Sequence, residues 1–166
     1  MTKENYIKMT QPFRENPEMA KGIHIANKLC TGMMYLAYPV LLIYMFIQKN
    51  PMLIKTFFVP AISFVALSVG RYFINRPRPY EAFEVSPIIK KDTKGKSFPS
   101  RHVFSATMIA MTFLIASPWM WIGVVFLVVS LVLAVVRVIS GVHYISDVIA
   151  GITVAVLAAI IGYIII

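Results

Sequence analysis

The sequence predicts an all-α bundle of membrane-spanning helices, about five of them, with its reactive groups gathered at one membrane face. Three observations predict it. Of 166 residues, 58% are hydrophobic and 14% charged, the balance of a chain built for a bilayer. The apolar residues come in runs close to the roughly 20 that a helix needs to cross hydrocarbon. The ionisable residues collect at the ends of those runs, where charge beside hydrocarbon is costly and calls for a reason.

In chain order, residues 1–28 form an N-terminal polar segment of mixed charge, with Lys3, Lys8, Arg14, Lys21 and Lys28 against Glu4, Glu15 and Glu18. It lacks the apolar core and small-residue cleavage site of a signal peptide. Two readings fit its scattered Tyr6, Ile7, Met9, Phe13, Met19 and Ile23: a helix lying in the interface, or a solvated tail. Residues 29–166 form the membrane-embedded domain. Its expected spans are 29–47, 53–70, 103–117, 119–139 and 147–166. Asn50-Pro51 and Ser117-Pro118 supply turns, because proline disfavours helix at the residue before it. The third span is short unless Ser100 and Arg101 extend it. Small residues at close-packing spacing (Ala66 and Gly70, Ala106 and Ala110, Gly151, Ala155 and Ala159) offer faces for helix association. Cys30, the only cysteine, reads as a small buried hydrophobe.

Three polar stretches remain. In Arg71-Tyr-Phe-Ile-Asn-Arg76-Pro77-Arg78-Pro79, the helix should end near Asn75 and the chain turn so that Arg78 folds back towards Arg71. Grouped guanidiniums suit a phosphate, and equally suit lipid headgroups reached by snorkelling. In Ser97-Phe98-Pro99-Ser100-Arg101-His102, Ser100 is a good N-cap. The helix it starts offers N–H groups and a positive dipole end to an anion, with His102 in the first turn. A capped helix with an incidental histidine fits the same residues. In Arg137-Val-Ile-Ser-Gly-Val-His143-Tyr-Ile-Ser-Asp147, His143 and Asp147 are four apart and share one face if the helix includes both. A carboxylate beside an imidazole sets its tautomer and leaves the far nitrogen for attack or proton transfer. With five spans, all three stretches fall on one side of the membrane. The other side has little beyond Lys49, Asn50 and Lys55.

Together the stretches resemble the three signature motifs of the type 2 phosphatidic acid phosphatase superfamily, the membrane lipid phosphatases related to vanadium haloperoxidases. The family pattern is Lys-x6-Arg-Pro, Pro-Ser-Gly-His and Ser-Arg-x5-His-x3-Asp. The chain has Arg71-x6-Arg78-Pro79, Pro99-Ser100-Arg101-His102 and Val136-Arg137-x5-His143-x3-Asp147. Arg71 replaces lysine, Arg101 glycine and Val136 serine. The resemblance implies that His143 attacks phosphorus to form a phosphohistidine and that Asp147 orients it. It implies that His102 protonates the leaving oxygen and then activates water. Arg71, Arg78 and Arg137, with Ser100 and the N–H groups of Arg101 and His102, would bind the phosphoryl oxygens. No metal or other cofactor is expected, because guanidiniums supply the cationic charge that a phosphoryl transition state needs.

The expected partners are the bilayer and a lipid phosphate; the net charge of +9 is not read as a nucleic-acid footprint. Short bacterial members resemble undecaprenyl-diphosphate phosphatases, with phosphatidylglycerophosphate and phosphatidate as competing substrates. The family commonly has six spans; the one not found here would precede the first. Lys90, Lys91, Lys94 and Lys96 form either a basic rim for a diphosphate or a solvated connector. A vanadate-holding haloperoxidase conflicts with the membrane composition. A non-catalytic anion carrier leaves the His143–Asp147 pair without a purpose. Sidedness sets two arguments against each other. The basic residues of 1–28 and 71–101 outnumber Lys49 and Lys55, which puts the motif side in the cytoplasm by the positive-inside rule. The resemblance favours the outer face, which is the expectation adopted.

Overall fold

The computed structural model describes residues 2–90 and 93–166. Lys91 of the basic loop, and Asp92, lie outside them. The described chain comprises helices α1 (Lys3–Glu15), α2 (Pro17–Ile47), α3 (Leu53–Ile74), the single turn α4 (Pro79–Ala82), α5 (Arg101–Ala116), α6 (Met120–Ile139) and α7 (Ile145–Ile160). A π-helical turn, Ile161–Ile165, continues α7. This is the all-α membrane bundle expected. Four segments, Pro17–Ile47, Leu53–Ala82, Met120–Ile139 and Ile145–Ile165, are long and apolar enough to cross a membrane, and α5 is shorter. Their outer faces carry the exposed side chains of Leu36, Phe46, Ile54, Phe73, Trp121 and Ile164, which suits contact with acyl chains.

The short α5 is the centre of the bundle. At 16 residues it is about 24 Å long, less than the ~30 Å hydrocarbon core. Length mismatch costs little here, because α2, α3, α6 and α7 pack around it and little of it meets lipid. Phe104, Met108, Phe113 and Ala110 of α5 are buried against Met34, Leu41 and Met45 of α2, Leu67 of α3, Phe126 and Leu133 of α6, and Ala155 and Ala159 of α7. Ser117 accepts from the N–H of Trp119 at 3.1 Å and closes the tight turn that sets α6 antiparallel to α5.

Between helices in a bilayer, close packing replaces the hydrophobic effect as the source of attraction. The predicted small-residue face of α7 serves this purpose. A Cβ on Gly151 would stand 2.9 Å from the Ser100 carbonyl oxygen, so α7 presses on the backbone where α5 starts. The Ala66–Gly70 pair does not: Ala66 is exposed and Gly70 has open space around it, because α3 turns Pro60, Leu67 and Arg71 inwards instead. The α5–α6 contact depends on a residue the spacing argument passed over. A Cβ on Gly123 would lie 2.6 Å from the Leu114 backbone nitrogen.

The first 28 residues are largely helical. Asn16 caps α2 by accepting from the N–H groups of Glu18 and Met19, and Pro17 occupies the first helical position. From there α2 runs unbroken through Lys28 and Leu29, where the composition turns apolar. α1 is docked rather than a solvated tail. Tyr6 is fully buried, its ring 5.2 Å from that of Phe83, and its hydroxyl donates to the Val138 carbonyl at 3.4 Å. Met9 packs on Val103, Ala134, Val138 and Val148.

Gly123→Leu is expected to lower the thermal unfolding midpoint in detergent, with a loss of about 1–3 kcal/mol from overpacking. Gly22→Ala, at a position with nothing within 4 Å, should leave the midpoint unchanged or raise it slightly. Thermal scans of both variants beside the wild type check this.

Candidate active site

The three motif stretches meet at one end of the bundle. α3 ends at Ile74, and its C-cap Asn75, with left-handed backbone (φ 40°), turns the chain towards Arg76 and Arg78. α5 begins at Arg101, after its N-cap Ser100, α6 ends at Ile139, and α7 begins at Ile145. Between α6 and α7, Gly141 at φ +89° turns the backbone, and a Cβ there would lie 3.3 Å from Pro87 Cα. A left-handed glycine meets this need without steric cost. The N–H of Ile88 donates to the Ser140 carbonyl at 2.9 Å and ties the loop after α4 to this turn.

Asp147 stands at the centre. It is fully buried and accepts from Ser97 Oγ at 2.5 Å, from the Tyr144 N–H at 2.9 Å and from Arg76 at 2.9 Å. Its main-chain carbonyl accepts from the N–H of Ser100 at 2.9 Å, joining the start of α7 to the start of α5. His143 Nδ1 lies 3.4 Å from Asp147 Oδ2. That is within ion-pair reach, but the angles do not make a hydrogen bond, so Nδ1 is buried without a full partner. The helix does not include both residues: His143 precedes the N-cap, Tyr144, and the loop places it beside Asp147. Burial pushes the His143 imidazole well below its usual range. Contact with Asp147 opposes this, and Arg137 and Arg78 reinforce it, so the ring is neutral at physiological pH.

Across from this pair, Arg137 donates to Asn27 Oδ1 at 3.0 Å and lies 3.3 Å from His102 Nδ1. An arginine can only donate, so His102 Nδ1 is the acceptor in that contact. Arg137 Nε is buried and unpartnered. Ser100 occupies the N-cap position of α5 with extended backbone, as expected, but its side chain caps nothing. The Ser100 hydroxyl is buried without a partner. Orphaned buried donors cost free energy unless something satisfies them. Two of them beside a helix start and a buried guanidinium describe a place for an anion.

Arg71 and Arg78 do converge, as the turn at Asn75 predicts. Both donate to the Lys96 carbonyl. Arg71 also donates to the carbonyls of Pro99 and Ser97, and Arg78 to those of Gly95 and, at 3.1 Å, Val142, the residue before His143. Their guanidiniums therefore organise the 95–99 loop while facing the site. Arg101, exposed on the first turn of α5, lies over the Phe64 ring at 5.8 Å and lines a separate basic pocket with Arg71 and Arg78.

Three residues at the site escaped the sequence reading. Arg76 and Ser97 stand inside the quoted stretches, but nothing in spacing tells that both bond Asp147. Asn27 sits in the N-terminal segment, where its only signal is a polar side chain just before an apolar run. Among the described residues no group of three or more His, Cys, Asp or Glu is placed to hold a metal ion. Asp147 already has protein donors on both oxygens.

Comparison with known proteins agrees with this geometry. A family model described as the PAP2 superfamily matches residues 52–166. An undecaprenyl-diphosphatase of Sulfolobus acidocaldarius is 32% identical over 91 residues, an alignment that covers 54% of this chain and 43% of that protein. The match thus spans under half of that relative's length. The structure is similar to that of LpxE from Aquifex aeolicus, with TM-score 0.73 and 23% identity over 96% of this chain and 92% of that one. It is equally similar to the first transmembrane PAP2 type phosphatidylglycerolphosphate phosphatase from Bacillus subtilis, with TM-score 0.73 and 17% identity over 96% and 83% of the two chains. At those identities the likeness speaks for the fold alone. The three motifs, brought to one end of a helical bundle and covered by the matching family model, make the chain a member of the PAP2 superfamily.

Proposed function

We propose that the chain is an integral membrane phosphatase that hydrolyses a lipid phosphate or diphosphate through a phosphohistidine on His143, with undecaprenyl diphosphate the favoured substrate. The observation that carries this reading is the buried His143 held against Asp147, opposite a His102–Arg137 pair and two unpartnered buried donors. With Nδ1 turned to Asp147, Nε2 is the nucleophile. It forms a bond to phosphorus as the bond from that phosphorus to the leaving oxygen breaks, the bridging oxygen of a diphosphate or the lipid oxygen of a monophosphate, and His102 gives that oxygen a proton. Water then attacks the phosphohistidine and His102 takes its proton. The P–N bond breaks, releasing phosphate and restoring His143. Arg71, Arg78 and Arg137, with Ser100 and the N–H groups at Arg101 and His102, carry the negative charge that spreads over the phosphoryl oxygens. Arg71 and Arg78 would exchange some of their main-chain partners for phosphate on binding. Phosphatidylglycerophosphate and phosphatidate are the alternative substrates. Phosphate release from purified protein given undecaprenyl diphosphate, phosphatidylglycerophosphate, phosphatidate and farnesyl diphosphate ranks them, and no release from any would refute the reading.

The active face is proposed to be the outer one, with the N-terminus outside, because a lipid carrier is released there as its diphosphate. The distribution of basic residues argues the other way, which makes sidedness a direct test of substrate.

His143→Ala should reduce turnover on the order of 10³-fold or more while the protein keeps its unfolding midpoint to within a few degrees. Asp147→Asn should retain more activity than His143→Ala. Wild-type-like turnover in His143→Ala would exclude the mechanism. Excess EDTA should leave activity intact, whereas vanadate should inhibit by taking up the geometry of the phosphoryl transition state. Loss with EDTA and recovery with Mg²⁺ would contradict the arginine-based scheme. For sidedness, single cysteines are placed in a Cys30→Ala background and treated with a membrane-impermeant maleimide on intact cells. Cysteine at Thr93 should react and cysteine at Asn50 should not. The reverse pattern would put the site in the cytoplasm and favour phosphatidylglycerophosphate or phosphatidate.

A further inference from the structure

Beside the reaction site lies a second cavity of about 300 Å³ that the mechanism does not use in full. Arg71 and Arg78 form one wall, and Lys94, Lys96 and Arg101 form the rest of its charged lining, with Ser68 and Tyr72 of α3. Among the described residues no carboxylate lines it. Glu81 accepts from the main-chain N–H groups of Arg78 and Gly95 and so folds the loop without facing the cavity. Among the described residues, neither Lys94, Lys96 nor Arg101 forms a salt bridge. Ser68 Oγ is a buried hydroxyl without a partner. Five cations and an orphaned donor around one cavity are costly to assemble unless an anion occupies it.

The position of the cavity says which anion. Arg78 spans from Gly95 in the cavity wall to the Val142 carbonyl next to His143, so cavity and reaction site share this guanidinium. On its other side, Arg101 lies over Phe64, which lines an apolar cavity of about 260 Å³ with Tyr38, Phe57, Phe104 and Met108. The order is therefore apolar cavity, basic cavity, nucleophile.

We propose that the cavity lined by Lys94, Lys96 and Arg101 is a subsite for the lipid-attached phosphate of a diphosphate, while the terminal phosphate lies at His143. The proposal rests on the phosphatase reading and deepens it. Arg101, which stands where the family has glycine, becomes a specificity residue, and the chain prefers diphosphates to monophosphates of the same lipid.

The test compares full-length wild type with Lys94→Gln/Lys96→Gln, two exposed loop positions, of which Lys96 lies over the Tyr72 ring. With farnesyl diphosphate and farnesyl monophosphate, the diphosphate-to-monophosphate ratio of kcat/KM should fall about tenfold or more, mainly through KM for the diphosphate. A ratio within about twofold of wild type would overturn the proposal. A second arm needs no turnover. In the His143→Ala background, calorimetry should show inorganic pyrophosphate binding about tenfold or more tighter than inorganic phosphate, with the preference lost when both lysines are replaced. Equal affinities for the two anions would overturn the subsite even if the enzyme is active. Absent turnover on both lipids would count against the phosphatase reading, with the calorimetry still deciding the subsite.

Discussion

The structure depends on keeping one buried carboxylate charged. Asp147 has no exposed surface, and an unpaired carboxylate there would cost several kcal/mol. The chain meets that cost by bringing four elements to it: the α3–α4 turn through Arg76, the loop before α5 through Ser97, the start of α7 through the Tyr144 N–H, and the α6–α7 loop through His143. The same residue's carbonyl holds the first N–H of the α5 N-cap. The partners come from three separate stretches of sequence, so satisfying the carboxylate also assembles the site. This explains why the His143 contact is the loosest of the set. Asp147 already has donors on both oxygens and stands 3.4 Å from His143 Nδ1.

The arginines pose the opposite problem. Arg71, Arg78 and Arg137 are buried near one another, and among the described residues Asp147 is the one fully buried acid close by. Main-chain carbonyls absorb much of this charge, those of Ser97, Pro99, Lys96, Gly95 and Val142, together with the side-chain oxygen of Asn27. Carbonyl dipoles stabilise a guanidinium only partly, and the unpartnered Arg137 Nε and Ser100 Oγ record the shortfall. A site left short of negative charge is preorganised for an anion, and preorganised charge is the larger part of what phosphoryl transfer requires. The docked N-terminal segment contributes here too. Asn27 and Tyr6 both reach the α6 end from outside residues 52–166, the stretch that the family model matches.

The bilayer shapes the rest. Because α5 is sheathed by other helices, it can be short and carry Ser105, Thr107 and Thr112 without facing lipid with its whole length. Its two ends then sit at different depths, one at the tight 117–119 turn and one at the anion site. Contact with glycines, Gly123 from α6 and Gly151 from α7, lets the neighbours approach its backbone. The approach of Gly151 to Ser100 carries this packing directly to the candidate site.

Much of this protein was legible in its sequence because the underlying constraints are local. Apolar run length gives the spans, proline and asparagine give the turns, and counting spans brings Arg71, Arg78, Ser100, Arg101, His102, Arg137, His143 and Asp147 to one face. The motifs then identify the family. What the tertiary structure alone decided depends on angles and distances between elements. Ser100 sits at an N-cap but does not cap. Ala66 and Gly70 are small but turned away, while Gly123 makes the close contact. The N-terminal segment includes a docked helix, and its last turns belong to the first span. Arg76, Ser97 and Asn27 join the site from positions that composition leaves unmarked. A side chain's partner across a fold is set by the rotation and crossing of helices, and a one-residue turn of a helix, about 100°, changes it without changing any sequence pattern.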